Sequence, residues 1–121
     1  MKEKTTSSLI ISTYNWPEAL ELVLKSALTQ SVFPKEIVIA DDGSTIETKD
    51  MITFYQSKFQ IPLIHVFHED KGFRLSEIRN KAIKISSGDY IIQIDGDVIL
   101  HKHFIKDHLK IAKENCFVRG S

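Results

Sequence analysis

Asp95-Gly96-Asp97 sets two carboxylates one residue apart, directly after the apolar run Tyr90-Ile91-Ile92-Gln93-Ile94. Carboxylate oxygens suit hard divalent cations, and Mg2+ or Mn2+ is commonly held by one or two of them, with phosphate oxygens and water completing the shell. A cation held in this way neutralises the charge that develops on a diphosphate leaving group without proton transfer. Gly96 adds no side chain between the two aspartates, so the backbone can turn tightly and a bulky ligand can approach. Asp-x-Asp by itself often does no more than end a strand, because Asp and Gly are common turn residues. Its position behind a buried-strand pattern selects the cation reading, with Asp97 and Asp95 as the metal-binding pair.

Two further polar clusters follow apolar runs. Thr13-Tyr14-Asn15 closes the run that begins at Ser8, and Asp41-Asp42-Gly43-Ser44 follows Glu36-Ile37-Val38-Ile39-Ala40. Asp41, the first residue past its strand, is expected to face a ligand crevice, where a carboxylate accepts a ring N–H such as that of uracil. Asp42 is expected to cap the next helix. Lys71, Arg74 and Arg79 form a basic group suited to phosphates or carboxylates. His101 and His103 read as a solvated pair rather than metal ligands, and Trp16 reads as a packing residue at the start of the first helix. Cys116, the single cysteine, excludes an internal disulfide framework and reads as a buried core thiol.

These clusters need a scaffold, and the hydrophobic spacing supplies one. A strand over about residues 8–13 precedes a helix capped by Asn15 and opened by Pro17, with Leu20, Val23, Leu24, Ala27 and Leu28 on one stripe. A second strand, 36–40, leads to a helix over roughly 45–59 carrying Ile46, Met51, Ile52, Phe54 and Tyr55. A third strand, 63–67, is followed by a helix with Leu75, Ile78, Ala82 and Ile85 on one face, ending near Gly88. The fourth strand, 90–94, delivers the Asp-Gly-Asp, and an amphipathic segment around Phe104, His108, Leu109 and Ala112 closes the pattern. Such alternation implies right-handed crossovers and an α/β fold, a mostly parallel sheet with helices on both faces. Ligands of such sheets bind outside the carboxyl ends of the strands, where all three clusters lie.

A chain of 121 residues with 42% hydrophobic and 26% charged residues is expected to form one domain with one core. Sixteen basic residues balance sixteen acidic ones, which leaves no long-range field for nucleic acid or an anionic membrane, so phosphate recognition must be local. No apolar run approaches the ~20 residues of a membrane span, and the polar start lacks a secretory pattern. The expected location is cytoplasmic, with peripheral attachment at the inner membrane face as a variant. No G-x-G-x-x-G follows the first strand, which argues against a dinucleotide oxidoreductase. A signalling receiver domain needs its acidic pair after strand one, whereas this pair follows strand two.

Taken in order, Ile10-Ile11-Ser12-Thr13-Tyr14-Asn15, Ile37-Val38-Ile39-Ala40-Asp41-Asp42-Gly43-Ser44, Arg79-Asn80-Lys81-Ala82 and Gly88-Asp89-Tyr90-Ile91-Ile92-Gln93-Ile94-Asp95-Gly96-Asp97 resemble the amino-terminal half of family 2 glycosyltransferases. The resemblance covers about residues 7–108, and Glu69-Asp70-Lys71-Gly72-Phe73-Arg74 is similar to bacterial polysaccharide-forming members such as chondroitin polymerase. It implies a Rossmann-like GT-A nucleotide-binding half, with residues 1–121 as a single nucleotide-diphospho-sugar-binding domain. It further implies inverting, metal-dependent transfer of a hexosyl group from a nucleotide diphosphate donor, a UDP-sugar, to a hydroxyl of a saccharide or glycolipid acceptor in polysaccharide or glycoconjugate synthesis. By the same resemblance Thr13, Tyr14 and Asn15 line the nucleoside pocket, Asp41 binds the base, and Lys71, Arg74 and Arg79 help to hold the donor. Asp95 meets ribose or metal-bound water, and Asp97 ligates Mn2+ or Mg2+.

One departure qualifies these expectations. The family's second half, with its acceptor site and general base, has no match here, and no residue in this sequence stands out as that base. The expectation is a chain that binds donor weakly and transfers poorly alone, and that self-associates through apolar surface the missing half would cover. The alternative reading is a non-catalytic nucleotide-sugar-binding module or an incomplete subunit.

Overall fold

The structure, a computed structural model, describes residues 5–68 and 74–115, with side chains described as far as Ile111. Lys71 and Cys116 lie outside the described residues. Strands and helices alternate as β1 (Ser7–Thr13), α1 (Pro17–Leu28), β2 (Glu36–Asp41), α2 (Ile46–Gln56), β3 (Leu63–Phe67), α3 (Leu75–Ile85), β4 (Tyr90–Asp95) and α4 (Phe104–Asn115). The strands form one sheet in the order β3-β2-β1-β4, and every pairing is parallel.

The apolar runs of β1 and β2 are long because these central strands are buried on both faces along their whole length. Successive strand residues point to opposite faces, so each run serves two layers. Leu9, Ile11, Ile37, Ile39 and Ile92 pack against Leu20, Val23, Leu24 and Ala27 of α1, Ile52 and Tyr55 of α2, and Ile105 of α4. On the other face Ile10, Val38, Ala40 and Ile91 meet Ile78 and Ala82 of α3. Helices therefore cover both faces, as the alternation predicts.

Several local expectations are corrected. Asn15 does not cap α1; Trp16 holds that position without a side-chain hydrogen bond. Asn15 instead takes a positive φ of 49°, tolerated by Asn, that redirects the chain between β1 and α1. Ile85 is 47% exposed and leaves the α3 stripe, and Ile46 and Phe54 of α2 are exposed too. Ile105, fully buried, is a core residue that the sequence pattern did not single out.

Buried and partly buried polar ties fix both ends of the sheet. At the amino end, the Glu36 carboxylate accepts from Ser8 Oγ at 2.6 Å, from the Ser87 amide at 2.6 Å and from Ser87 Oγ at 3.2 Å. Burial alone raises the Glu36 carboxyl, but these donors and nearby Lys35 outweigh it and hold the group below its ordinary value. Beyond β4, the chain is anchored to the end of α1. Leu100 N–H donates to Ser26 Oγ at 3.0 Å, while Gln30 donates to the His101 carbonyl at 2.7 Å and accepts the Ile105 amide at 3.0 Å.

Candidate donor-binding groove

Parallel register brings the polar strand ends to one rim, with Thr13 level with Asp41 and Ser12 level with Asp95. There β4 turns sharply: the Asp95 carbonyl accepts the Val98 amide at 3.2 Å, so Gly96 and Asp97 are the central residues of the turn. Glycine at 96 is a matter of space. A Cβ there would stand 2.7 Å from the Ser12 carbonyl oxygen and 3.3 Å from Thr13 Cβ and Oγ1. The turn packs so closely on the end of β1 that its carboxylates leave on the open side.

A groove of about 220 Å³ lies over this rim, walled by Ser12, Thr13, Tyr14, Trp16, Asp95, Gly96 and Asp97. Asp95 also borders a neighbouring depression of about 440 Å³, lined with Arg79, Gln93, Ile94 and Val98. Asp97 is exposed and makes no hydrogen bond or ion pair with another described residue. Asp95 shares the α3 face with Ser12, and there Arg79 meets both. Its Nε donates to Ser12 Oγ at 2.9 Å and its Nη2 to Asp95 Oδ1 at 2.9 Å. The pair is solvent-exposed and adds little stability; its consequence is a fixed direction for the Asp95 carboxylate. Trp16, expected to pack, is 55% exposed and forms part of the groove wall.

The acidic pair after β2 behaves differently from the expectation. Asp41 is only 2% exposed and does not face the groove. Its Oδ1 accepts the Ser44 amide at 2.9 Å, and its Oδ2 is bonded to His65 Nε2 at 2.8 Å. Strand pleating is the reason: Asp41 continues the side of β2 that carries Ile37 and Ile39 toward α1 and α2, opposite the face that Asp95 shares with α3. Burial raises the Asp41 carboxyl, yet the bonds from His65 and Ser44 prevail and hold it below its ordinary value. Asp42 does not cap α2 either. Thr45 is the N-cap there, and the Asp42 carboxylate is taken up by His68 Nε2 and by the Arg74 amide at the start of α3.

The remaining candidates are distributed around the rim. Asn15 donates its N–H to Ser44 Oγ at 2.6 Å and accepts Thr45 Oγ1 at 3.2 Å, tying the loop after β1 to the loop after β2. The Arg74 guanidinium pairs with Glu77 at 2.8 Å, one turn along its own helix. His103 Nδ1 bonds Ser31 Oγ at 2.7 Å, while His101 lies 3.9 Å from Asp107. His65 and His68 are structural partners that the sequence reading did not assign. Their signal is the β2–β3 register, which sets Ile39 level with His65 and Asp41 level with Phe67, and register is not written in local spacing.

Among the described residues, no group of three His, Cys, Asp or Glu side chains is arranged to hold a metal ion. The groove offers instead both oxygens of Asp97 and Oδ2 of Asp95. Such a donor set fits Mg2+ or Mn2+ when ligand phosphates and water fill the other positions. No helix among the described residues is long and apolar enough to cross a membrane.

Comparison with known proteins bears on the family and the fold. The sequence matches Glycosyl transferase family 2 over residues 8–119. Validoxylamine A glucosyltransferase of Streptomyces hygroscopicus subsp. limoneus is 31% identical over 104 residues, which are 84% of this chain and 22% of that protein. Chondroitin synthase of Pasteurella multocida (strain Pm70) is 28% identical over 113 residues, 92% of this chain and 12% of the synthase. The chain thus spans no more than 22% of either relative's length. The 1-349 portion of S. aureus TarS in complex with UDP-GlcNAc has a TM-score of 0.74 at 28% identity, covering 91% of this chain and 32% of that portion. The mannosyltransferase PcManGT from Pyrobaculum calidifontis, in complex with GDP-Man and Mn2+, shares the fold at a TM-score of 0.69 and 22% identity, over 80% of this chain and 29% of its own. A parallel sheet with its polar strand ends gathered at one groove, together with a family match along almost its whole length, makes this chain a member of glycosyl transferase family 2 with the GT-A fold.

Proposed function

We propose that the groove over β1 and β4 binds the nucleoside diphosphate portion of a UDP-sugar, as the donor site of an inverting, metal-dependent hexosyltransferase. The observation that carries this reading is the convergence of Thr13, Tyr14, Trp16, Asp95 and Asp97 on one groove, with the Asp97 carboxylate unengaged among the described residues. Tyr14 and Trp16 offer flat faces for the base or ribose, and Thr13 offers a hydroxyl. Asp97 and Asp95 would hold Mg2+ or Mn2+, which supplies charge neutralisation at the diphosphate. Arg79 orients Asp95, and Asn15 braces the loop that carries Tyr14. Lys71 and Arg74 belong to the proposed donor-binding set on the strength of the family resemblance. Asp41, buried with both oxygens bonded, supports the rim from behind and is not proposed as the base-binding group.

The acceptor is proposed to be a saccharide or glycolipid hydroxyl. Inversion needs a base within hydrogen-bond reach of that hydroxyl, and no described side chain of the groove is assigned to this role. Self-association belongs to the same proposal, because Val98 and Ile99 are exposed just beyond β4, an edge strand of the sheet. A strictly monomeric species in concentrated solution would count against that part.

The deciding experiment is calorimetric titration of UDP with and without Mn2+, repeated on Asp97→Ala. Binding should strengthen with Mn2+ and lose that dependence in the variant. Metal-independent binding that the substitution leaves unchanged would refute the assignment.

A further inference from the structure

Behind the groove, two buried histidine–aspartate pairs hold the carboxyl ends of β2 and β3, and one of them leads to the site. We propose that His68 is a positioning residue for the donor groove, acting through Asp42 and α3 on Arg79; the proposal rests on the donor-binding reading of that groove. The His68 and Asp42 side chains are only 6% and 1% exposed, and His68 Nε2 bonds Asp42 Oδ1. Among the described residues the other ring nitrogen, Nδ1, is buried without a hydrogen-bond partner, and the one polar contact of this ring is with Asp42.

Asp42 is a junction of three elements. Its N–H donates to the Thr13 carbonyl at 3.0 Å, at the end of β1. Its Oδ2 accepts the Arg74 amide at 3.0 Å, and Arg74 is the N-cap residue of α3. An exposed helix start can find water for its free amides; this one is held by a buried carboxylate instead. Arg79 lies five positions further along α3 and reaches Ser12 Oγ and Asp95 Oδ1 at the groove.

Loss of the His68 donor leaves Asp42 Oδ1 buried and unpaired, a state that favours rotation of the carboxylate or admission of water. Either change weakens the hold on the Arg74 amide and lets the start of α3 shift. Ligand positioning is sensitive to displacements on the order of 1 Å, and the Arg79 fork transmits such a shift to Asp95. The His65–Asp41 pair takes a different route, since Asp41 holds the Ser44 amide rather than α3.

The test compares His68→Phe, which keeps a ring but removes the donor, with His68→Gln, whose side-chain amide can donate to Asp42. Two signals are read: UDP affinity by calorimetry and the Arg79 Nε–H resonance by NMR. Ile105→Ala, in the core on the opposite face of the sheet from α3, controls for general destabilisation. His68→Phe should weaken UDP binding roughly tenfold and displace the Arg79 resonance, and His68→Gln should restore both toward wild type. On an Arg79→Met background, His68→Phe should cause no further loss of affinity. The proposal is overturned if His68→Phe moves neither signal, if Ile105→Ala moves both equally, or if the losses from His68→Phe and Arg79→Met simply add. Failure of the wild-type chain to bind UDP defeats the donor reading itself, while the Arg79 resonance still decides the link from His68.

Discussion

Replacing Gly96 by alanine adds one methyl group at the point where the turn after β4 meets the end of β1. That carbon would sit 2.7 Å from the Ser12 carbonyl oxygen, against an ordinary carbon–oxygen contact of about 3.3 Å or more. The shortfall is about 0.6 Å, and neither side yields cheaply, because Ser12 is paired with Ala40 on one side and Asp95 on the other. Overpacking of this kind costs about 1–3 kcal/mol, and the lower chain entropy of alanine in the unfolded state returns about 0.4–1 kcal/mol. A net loss of about 1–2 kcal/mol corresponds to a fall in Tm of roughly 4–10 °C for a domain of this size. Because the same turn carries Asp95 and Asp97, UDP affinity in the presence of Mn2+ should fall several-fold as well. Thermal and urea unfolding measure the first effect and calorimetry the second. A variant with the wild-type unfolding midpoint refutes the packing argument, and one that unfolds early yet binds UDP as tightly refutes the link from turn to function.

Glu36→Ala should cost roughly 1–3 kcal/mol in urea unfolding, because it removes the acceptor of the buried Ser8 hydroxyl and of the partly buried Ser87 amide; Glu36→Gln should recover part of this, since its carbonyl oxygen can still accept. The folded pKa values of Glu36 and Asp41 lie below their ordinary values of 4.5 and 3.8, so each stabilises the fold fully above that value and loses the contribution as pH falls through the lower folded value. Unfolding midpoints should therefore hold steady with respect to these groups down to about pH 5 and drop below pH 4.5, less steeply in Glu36→Gln; an identical acid profile in that variant would contradict the assignment. Ile105→Ala empties a fully buried site where α4 meets the sheet and should cost about 2–5 kcal/mol, with a loss under 1 kcal/mol speaking against a close-packed α4 contact.

Much of this molecule is written in short-range pattern. Runs such as Leu9-Ile10-Ile11 and Ile37-Val38-Ile39 can be satisfied only by strands covered on both sides, and the spacing of Leu20, Val23, Leu24 and Ala27 fits a helix on one of those sides. Parallel topology follows from the alternation, and with it the gathering of Thr13, Asp41 and Asp95 at one end of the sheet. What local pattern does not carry is the face on which each strand-end residue emerges and the register against its neighbour. Those decided that Asp95 meets Arg79 at the groove while Asp41, at the same rim, turns inward to His65. They also made Gly96 a steric requirement, turned Trp16 outward and brought His68 to Asp42 across 26 residues of chain. The physical reason is that periodicity records burial, which each segment expresses by itself. Hydrogen-bond partners and close backbone approaches exist only after distant segments have been packed at fixed register.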